Sequence, residues 1–192
     1  MNGTEVIETE RLILRPFTLD DAKGCFENYT SDPQTTLYLT WDAHDSLAVT
    51  EEFIRAKLPL YMKEDHFDWV VTLKNQNKTI IGAISCVNFV RKDRYAEIGY
   101  CYGSCFWHRG YATEALKAVI RYLFLECDVE VISARYISVN ERSGKVMKKC
   151  HMSKTAVLRE FGYNEMDNLR EDVIVRSLSK ERFLHFYQKG RF

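Results

Sequence analysis

Residues 96–120 read AEIGYCYGSCFWHRGYATEALKAVI, and the hydrophobic period changes inside this stretch. Up to Tyr102 the residues form the short apolar run of a buried strand. From Gly110 onward Ala112, Ala115, Leu116, Val119 and Ile120 recur at helical spacing, continued by Leu123 and Phe124. The stretch is therefore strand, turn and helix. A glycine-bearing turn directly before a helix leaves backbone N–H groups unpaired at the helix's positive end, which suits a phosphate or diphosphate. Gly110 permits close approach, Arg109 adds positive charge, Ala112 stays small and Thr113 adds a hydroxyl. A glycine in that place also serves backbone freedom alone. The turn lacks the GK[ST] ending of a Walker loop and the three spaced glycines of a dinucleotide fingerprint.

The flanking sequence supplies the rest of the fold. Residues 8–15 read as a first strand, after which Thr18 caps a helix with Asp20 and Asp21 at its positive end. A second helix is expected over Ser46 to Met62, with Val49, Phe53, Ile54 and Leu58 along one stripe. FDWVVTLK (67–74) and TIIGAISCVNFV (79–90) are strands joined by the turn NQNK, and RKDR (91–94) leads into AEIGYCYG. Those three strands are expected to be antiparallel neighbours. VEVISARYISV (129–139) is a further buried strand, and Asn140 opens a basic helix to about His151. KTAVLREF and EDVIVRSL flank the polar turn YNEMDN, and SKERFLHFYQ is a closing helix. The expected class is mixed α/β, with helices on a central sheet.

The chain has 192 residues, which fits a single domain burying about 70% of its unfolded surface. Its 27 Lys and Arg balance its 27 Asp and Glu, so no overall field steers it toward nucleic acid or an anionic membrane. The opening MNGTEVIETERL lacks the basic and apolar segments of a secretory signal, so a cytoplasmic location is expected. The six cysteines form no CxxC pair and are read as reduced thiols. The five histidines are too scattered for a zinc spacing, and no metal is expected.

FWHRGYATEAL (106–116) resembles the diphosphate loop of the GNAT superfamily of acetyl-CoA-dependent N-acetyltransferases, in particular its RimJ/RimL-like branch. The superfamily pattern is Gln or Arg, two residues, Gly, one residue, then Gly or Ala. Those places hold Trp107, His108, Arg109, Gly110, Tyr111 and Ala112 here. Trp107 departs from the pattern, and His108 stands where a glycine is common. ETERLILRP (8–16) resembles the family's opening strand, AEIGY its fourth strand, and VNERSGKVMKKCHM (139–152) its Asn, two residues, Ser helix. EDVIVRSLSKERF (171–183) resembles the closing strand and helix. His151 and Met152 replace the Gly-Phe pair that ends the third motif, and Met147 occupies the place of the tyrosine that many members use as a general acid.

The resemblance implies that the family's fourth and fifth strands splay apart, with the pantetheine arm of acetyl-CoA in the gap. Gly99 fits a bulge or a close backbone approach there. It implies cofactor contacts from Tyr100, Cys101 and Tyr102 along the strand, from His108 to Thr113 at the turn, and from Asn140 on the later helix. Arg142, Lys145, Lys148 and Lys149 are candidates for its phosphates, or a solvated helix face. A primary amine attacks a thioester only when unprotonated, so a proton acceptor is needed, and the departing thiolate needs a proton. By alternation Glu97, Gly99 and Cys101 share one strand face, which makes Glu97 the candidate base, directly or through a water. Ser143 is the candidate acid, or else it only closes the helix's first turn together with the cap at Asn140. Transfer through a thioester on Cys101 or Cys105, with His108 as partner, is the competing mechanism.

The expected partner is an amine acceptor, either a protein N-terminus or a small molecule. The loops DPQTTLYLTWDAHD and REFGYNEMDNLRED are expected to select it, with Tyr38, Trp41, Asp42, Asp45, Glu165, Asp167 and Glu171 as an aromatic and acidic mouth. A homodimer through strand edges is compatible with this reading. The competing function is a noncatalytic acyl-CoA sensor that keeps the slot and regulates a partner.

Overall fold

Alternate residues of a strand face opposite sides of a sheet, and DWVVTL (68–73) is buried along its whole length. Trp69 and Val71 enter the main core, whereas Val70 enters a second cluster with Phe17, Cys25, Tyr29 and Ile54. A strand buried on both faces needs a layer on each. The computed structural model, which describes residues 3–75, 78–164, 166 and 168–192, has that arrangement.

The strands are β1 (Ile7–Glu8), β2 (Leu12–Arg15), β3 (Asp68–Leu73), β4 (Ile80–Val90), β5 (Tyr95–Tyr102), β6 (Val131–Ile137), β7 (Ser153–Asn164) and β8 (Leu169–Ser179). They form one eight-stranded sheet in the order β1-β2-β3-β4-β5-β6-β8-β7. Helices α1 (Ala22–Cys25), α2 (Pro33–Thr36) and α3 (Leu47–Lys57) precede β3, α4 (Tyr111–Glu126) joins β5 to β6, α5 (Glu141–Lys149) joins β6 to β7, and α6 (Lys180–Gln188) ends the fold. Leu116, Ile120 and Phe124 of α4, Met147 of α5 and Phe183 of α6 fill the main core. Ala22, Cys25 and Ile54 from α1 and α3 cover the other face. The class is the expected mixed α/β, and β3, β4 and β5 are sequential antiparallel neighbours. Among the described residues no helix is long and apolar enough to cross a membrane.

The parallel pairing of β5 with β6 runs through Tyr95↔Val131, Ala96↔Ile132 and Glu97↔Ser133 and stops there. β4 stays with β5 as far as Tyr102, and β8 stays with β6 as far as Ile137, so the sheet forks beyond Glu97. A register shift in β4 between Cys86 and Asn88 lies directly opposite this fork. A bulge bends its strand and raises the local twist, which turns β4 and β5 together away from β6. Gly99 is explained by the same bulge: a Cβ there would come within 2.7 Å of Val87 Cγ1.

Four local expectations are corrected. The opening strand is two pieces, because Ile7 pairs with Leu14 and Glu8 with Ile13, leaving Thr9 to Arg11 as a tight turn closed by the Thr9 N–H to the Leu12 carbonyl at 3.0 Å. The second helix ends at Lys57, and Leu58–Met62 tightens into a 3-10 turn at Pro59, whose ring supplies no N–H. The segment after Thr18 is a 3-10 turn followed by α1 and a wide π turn, with Asp21 held by the Arg15 guanidinium at 2.6 Å and accepting from the Thr18 N–H at 2.8 Å. The stretch DPQTTLYL, read as loop, contains α2. Asp32 caps it by accepting from the Gln34 N–H at 2.9 Å, and Pro33 fills its first position.

Candidate active site

The fork in the sheet opens into a cavity of about 350 Å³. One wall is the free edge of β5 with Tyr100, Cys101 and Tyr102, the opposite wall is α5 with Asn140, Arg142, Ser143, Lys145, Val146 and Lys149, and the floor is the turn into α4. Gln34, Thr35, Tyr38 and Leu39 from α2 and the segment after it close one end.

Gly110 precedes α4 in the left-handed region at φ 83°, a conformation that favours glycine, and contributes no side-chain cap. The first intrahelical bond is Glu114 N–H to the Gly110 carbonyl at 3.0 Å, so Tyr111, Ala112 and Thr113 have no acceptor within the helix for their N–H groups. His108, Gly110, Tyr111, Ala112 and Thr113 all line the cavity, whereas Arg109 does not. His108, where the family often has glycine, also takes a left-handed conformation at φ 61°. Trp107 donates its indole N–H to the Tyr102 carbonyl at 2.6 Å, and the Arg142 guanidinium lies over its ring. The departure from Gln or Arg at 107 thus ties the turn to the end of β5.

The loop is braced from outside the predicted set. Glu114 accepts from Thr9 Oγ1 at 2.6 Å, from the Arg11 N–H at 2.9 Å and from Arg11 Nε at 2.7 Å. Asp32 reaches the same region, accepting from the Ser104 N–H at 3.0 Å and Thr35 Oγ1 at 2.8 Å. The Asp-Pro pair is a legible cap signature, but nothing in its spacing tells that the carboxylate also holds the turn before α4.

Asn140 Oδ1 caps α5 by accepting from the Ser143 N–H at 3.4 Å. Ser143 meets Tyr100, whose hydroxyl lies 3.0 Å from both its Oγ and its carbonyl oxygen. Met147, one turn further along, is 1% exposed and belongs to the main core. Burial holds the Tyr100 phenol above its ordinary pKa, a shift that the Ser143 contact partly offsets.

Glu97 is not in the cavity wall. It stands at the fork, 8% exposed, with Oε1 2.6 Å from Arg135 Nε. Cys101 lines the cavity, but burial pushes its thiol up to about 12, against a smaller opposing influence of Lys57. Of the expected acceptor mouth, Tyr38 reaches the cavity. Trp41 turns away onto His44 and Phe53, Asp42 and Asp45 are exposed, and Glu171 accepts from Ser138 Oγ at 3.1 Å. Glu165 and Asp167 lie outside the described residues.

Residues 11–153 match the family model described as the acetyltransferase (GNAT) domain. An uncharacterized N-acetyltransferase of Bacillus subtilis, YoaA, is 30% identical over 92% of this chain and 98% of its own. Among solved structures, a ribosomal-protein-S5-alanine acetyltransferase from Vibrio fischeri superposes with a TM-score of 0.80 at 22% identity, covering 93% of this chain and 98% of that one. RimL, the ribosomal L7/L12 α-N-protein acetyltransferase solved with coenzyme A, gives 0.81 at 16% identity, covering 93% and 99%. The chain belongs to the GNAT family of N-acetyltransferases and carries the fold of its RimJ/RimL-like branch.

Proposed function

We propose that this protein transfers the acetyl group of acetyl-CoA to a primary amine by direct attack of the amine on the thioester. The observation that carries this reading is the fork: a free strand edge, Tyr100 to Tyr102, leads along one cavity to the uncapped start of α4. A slot with backbone groups on one side and unpaired N–H groups at its end fits a long amide-bearing arm ending in a diphosphate. Tyr100, Cys101 and Tyr102 would line the arm, His108 and Gly110 to Thr113 would hold the diphosphate, with the charge of Arg109 behind the turn, and Asn140 would contact the arm from α5. Lys145 and Lys149 add positive charge to the cavity wall.

Acetyl-CoA supplies the thioester carbonyl and the sulfur leaving group. Ser143 is the hydroxyl on α5 suited to the departing sulfur. Glu97 is the proposed proton acceptor, through a water, since its carboxylate stands at the fork but outside the cavity wall, where Arg135 holds it. Cys101 is disfavoured as a nucleophile, because a thiol pushed up to about 12 is almost wholly protonated near neutral pH. We assign the acceptor to the class of primary amines, a protein N-terminus or a small molecule, and the setting to the cytoplasm.

The test is acetyl-CoA turnover on a panel of N-terminal peptides, polyamines, aminoglycosides and amino acids, followed as thiol release and as acetylated product by mass spectrometry. Direct transfer gives intersecting initial-rate lines. Parallel lines with a trapped acetyl-enzyme would overturn it. The sensor reading draws on the buried Met147 and on the Arg135 contact of Glu97. Tight CoA binding with no turnover on any amine would select it.

A further inference from the structure

Tyr100 and Ser143 come from opposite walls of the cavity, one on the forked strand and one in the first turn of α5, and meet hydroxyl to hydroxyl. A phenol has one proton to donate and here has two acceptors at the same distance, the Ser143 carbonyl and Ser143 Oγ, both at 3.0 Å. The two choices have different chemical consequences. If Tyr100 donates to the carbonyl, Ser143 can place its own proton on the phenol oxygen, and nothing is offered to the cavity. If Tyr100 donates to Ser143 Oγ, the serine proton is turned free and its oxygen is polarised as a donor.

A serine hydroxyl alone is a poor proton source for a thiolate. Its acidity is near that of bulk water, far weaker than that of a thiol, which titrates at about 8.5. What it can supply is a hydrogen bond to developing negative charge, and that bond is stronger when a second donor backs it. Tyr100 suits the second place. Burial keeps the phenol neutral, so it remains a donor across the working pH range.

We propose that Tyr100 is a positioning residue for the transfer, aligning the Ser143 hydroxyl so that it donates to the sulfur of CoA. This rests on the transferase reading given above. As the new C–N bond forms and the C–S bond breaks, the bonding pair goes to sulfur. The amine gives its proton to a water, which can pass it on to Glu97 at the fork, and the sulfur takes one from water on release. The two hydroxyls contribute hydrogen bonds and no net proton, so neither needs to be recharged between turnovers. Met147 leaves α5 without a hydroxyl one turn beyond Ser143, and the phenol of Tyr100 supplies one from the facing strand.

The experiment uses Tyr100→Phe, Ser143→Ala and the double variant in the full chain, with two readouts. In steady state, Tyr100→Phe is expected to lower kcat about tenfold with KM for acetyl-CoA within about twofold, as expected for lost donation to developing charge. The double variant is expected to be no slower than Ser143→Ala alone, because the two hydroxyls act as one unit. The second readout needs no acceptor: the ultraviolet absorbance of the bound CoA thiolate is titrated with pH. Removing the Tyr100 hydroxyl is expected to move that titration upward by roughly one pH unit or less.

Unchanged thiolate titration in a Tyr100→Phe protein that binds CoA normally would overturn the assignment, as would losses that simply multiply in the double variant. Should Tyr100→Phe fail to fold, Ser143→Ala carries the same test: an unmoved thiolate titration there removes the donor that Tyr100 is said to align. A protein that binds CoA, shows the shifted titration and acetylates no amine would support the hydroxyl pair while overturning the transferase reading. A protein that binds no CoA would overturn both.

Discussion

Arg11 donates from Nη1 to the carbonyl oxygen of Arg109 at 3.0 Å, across 98 residues of sequence. The same guanidinium holds Glu114 through Nε and lies 4.7 Å from the centre of the Tyr111 ring. Three points of the turn and first helical residues are thus fixed by one side chain of the opening hairpin. N–H groups that bind an anion act best when they need not reorganise.

Arg11→Ala should therefore weaken CoA binding more than it weakens the fold. The expected loss is about tenfold in Kd, or about 1.4 kcal/mol. The effect on stability is small, because the Arg11 side chain is 43% exposed and such pairs contribute little in water. Calorimetry against CoA checks the first statement and thermal melting the second. Affinity within twofold of wild type would show that the turn holds its shape unaided.

Glu114 should make the anchor acid-sensitive. Desolvation raises its carboxyl, but hydrogen bonds from Thr9 and Arg11 outweigh that and leave it below the ordinary value. A depressed folded-state pKa contributes stability above the unfolded value, about 4.3, and that contribution is lost as pH falls through the folded value. Glu114→Gln should lower Tm by about 2–4 °C at pH 7, with the gap from wild type closing below about pH 4. Melting curves across that range check it, and a gap that persists at low pH would contradict the linkage.

Trp107 should report cofactor binding optically. Its indole N–H is spent on the Tyr102 carbonyl, and the Arg142 guanidinium sits 4.2 Å from the ring centre, reaching across the cavity from α5. A ligand entering between the walls must disturb that contact. Trp107 fluorescence is expected to change on CoA addition, and Trp107→Phe to abolish most of the change. Arg142→Ala should speed CoA association about two- to fivefold, because the ligand no longer has to break an exposed cation–π contact of about 0.5–1 kcal/mol. Stopped-flow mixing measures it, and an unaltered rate would show that this contact does not oppose entry.

Thiol chemistry should separate two neighbouring cysteines. Cys105 is exposed, while burial pushes the Cys101 and Cys25 thiols up to about 12. One fast-reacting thiol is expected with an aromatic disulfide reagent at pH 7.5, mapped to Cys105 by mass spectrometry and lost in Cys105→Ser. Cys101 should react only on unfolding. Fast labelling of Cys101 in the native protein would reopen the thioester route.

Two histidines show where a sequence pattern and its physical cause part company. His108 and His151 stand where the family often has glycine, and both adopt left-handed backbone, at φ 61° and 60°. The residue type deviates, and the backbone takes a conformation that favours glycine, at a cost of about 1–2 kcal/mol for a residue with a Cβ. For His151 the surroundings offset this: its ring stacks on Phe186 at 4.1 Å and its Nε2 lies 2.8 Å from the Arg191 carbonyl. Neither partner is near in sequence, so no local reading finds them.

Periodicity in residues 96–120 settles a strand, a glycine turn and a helix, because apolar spacing and turn chemistry are local properties of the chain. The antiparallel run of β3 to β5 and the cap at Asn140 were legible for the same reason. The resemblance already implied the splayed strands; what the tertiary structure decided is what is set by where elements meet: the β4 bulge opposite the fork, the brace from Arg11 and the hydroxyl contact of Tyr100 with Ser143. It also set Glu97 against Arg135, outside the cavity wall. Those relationships depend on register and on side chains from distant segments sharing one space. Alternation along a single strand assigns a face, and it carries no information about which neighbour stands across the gap.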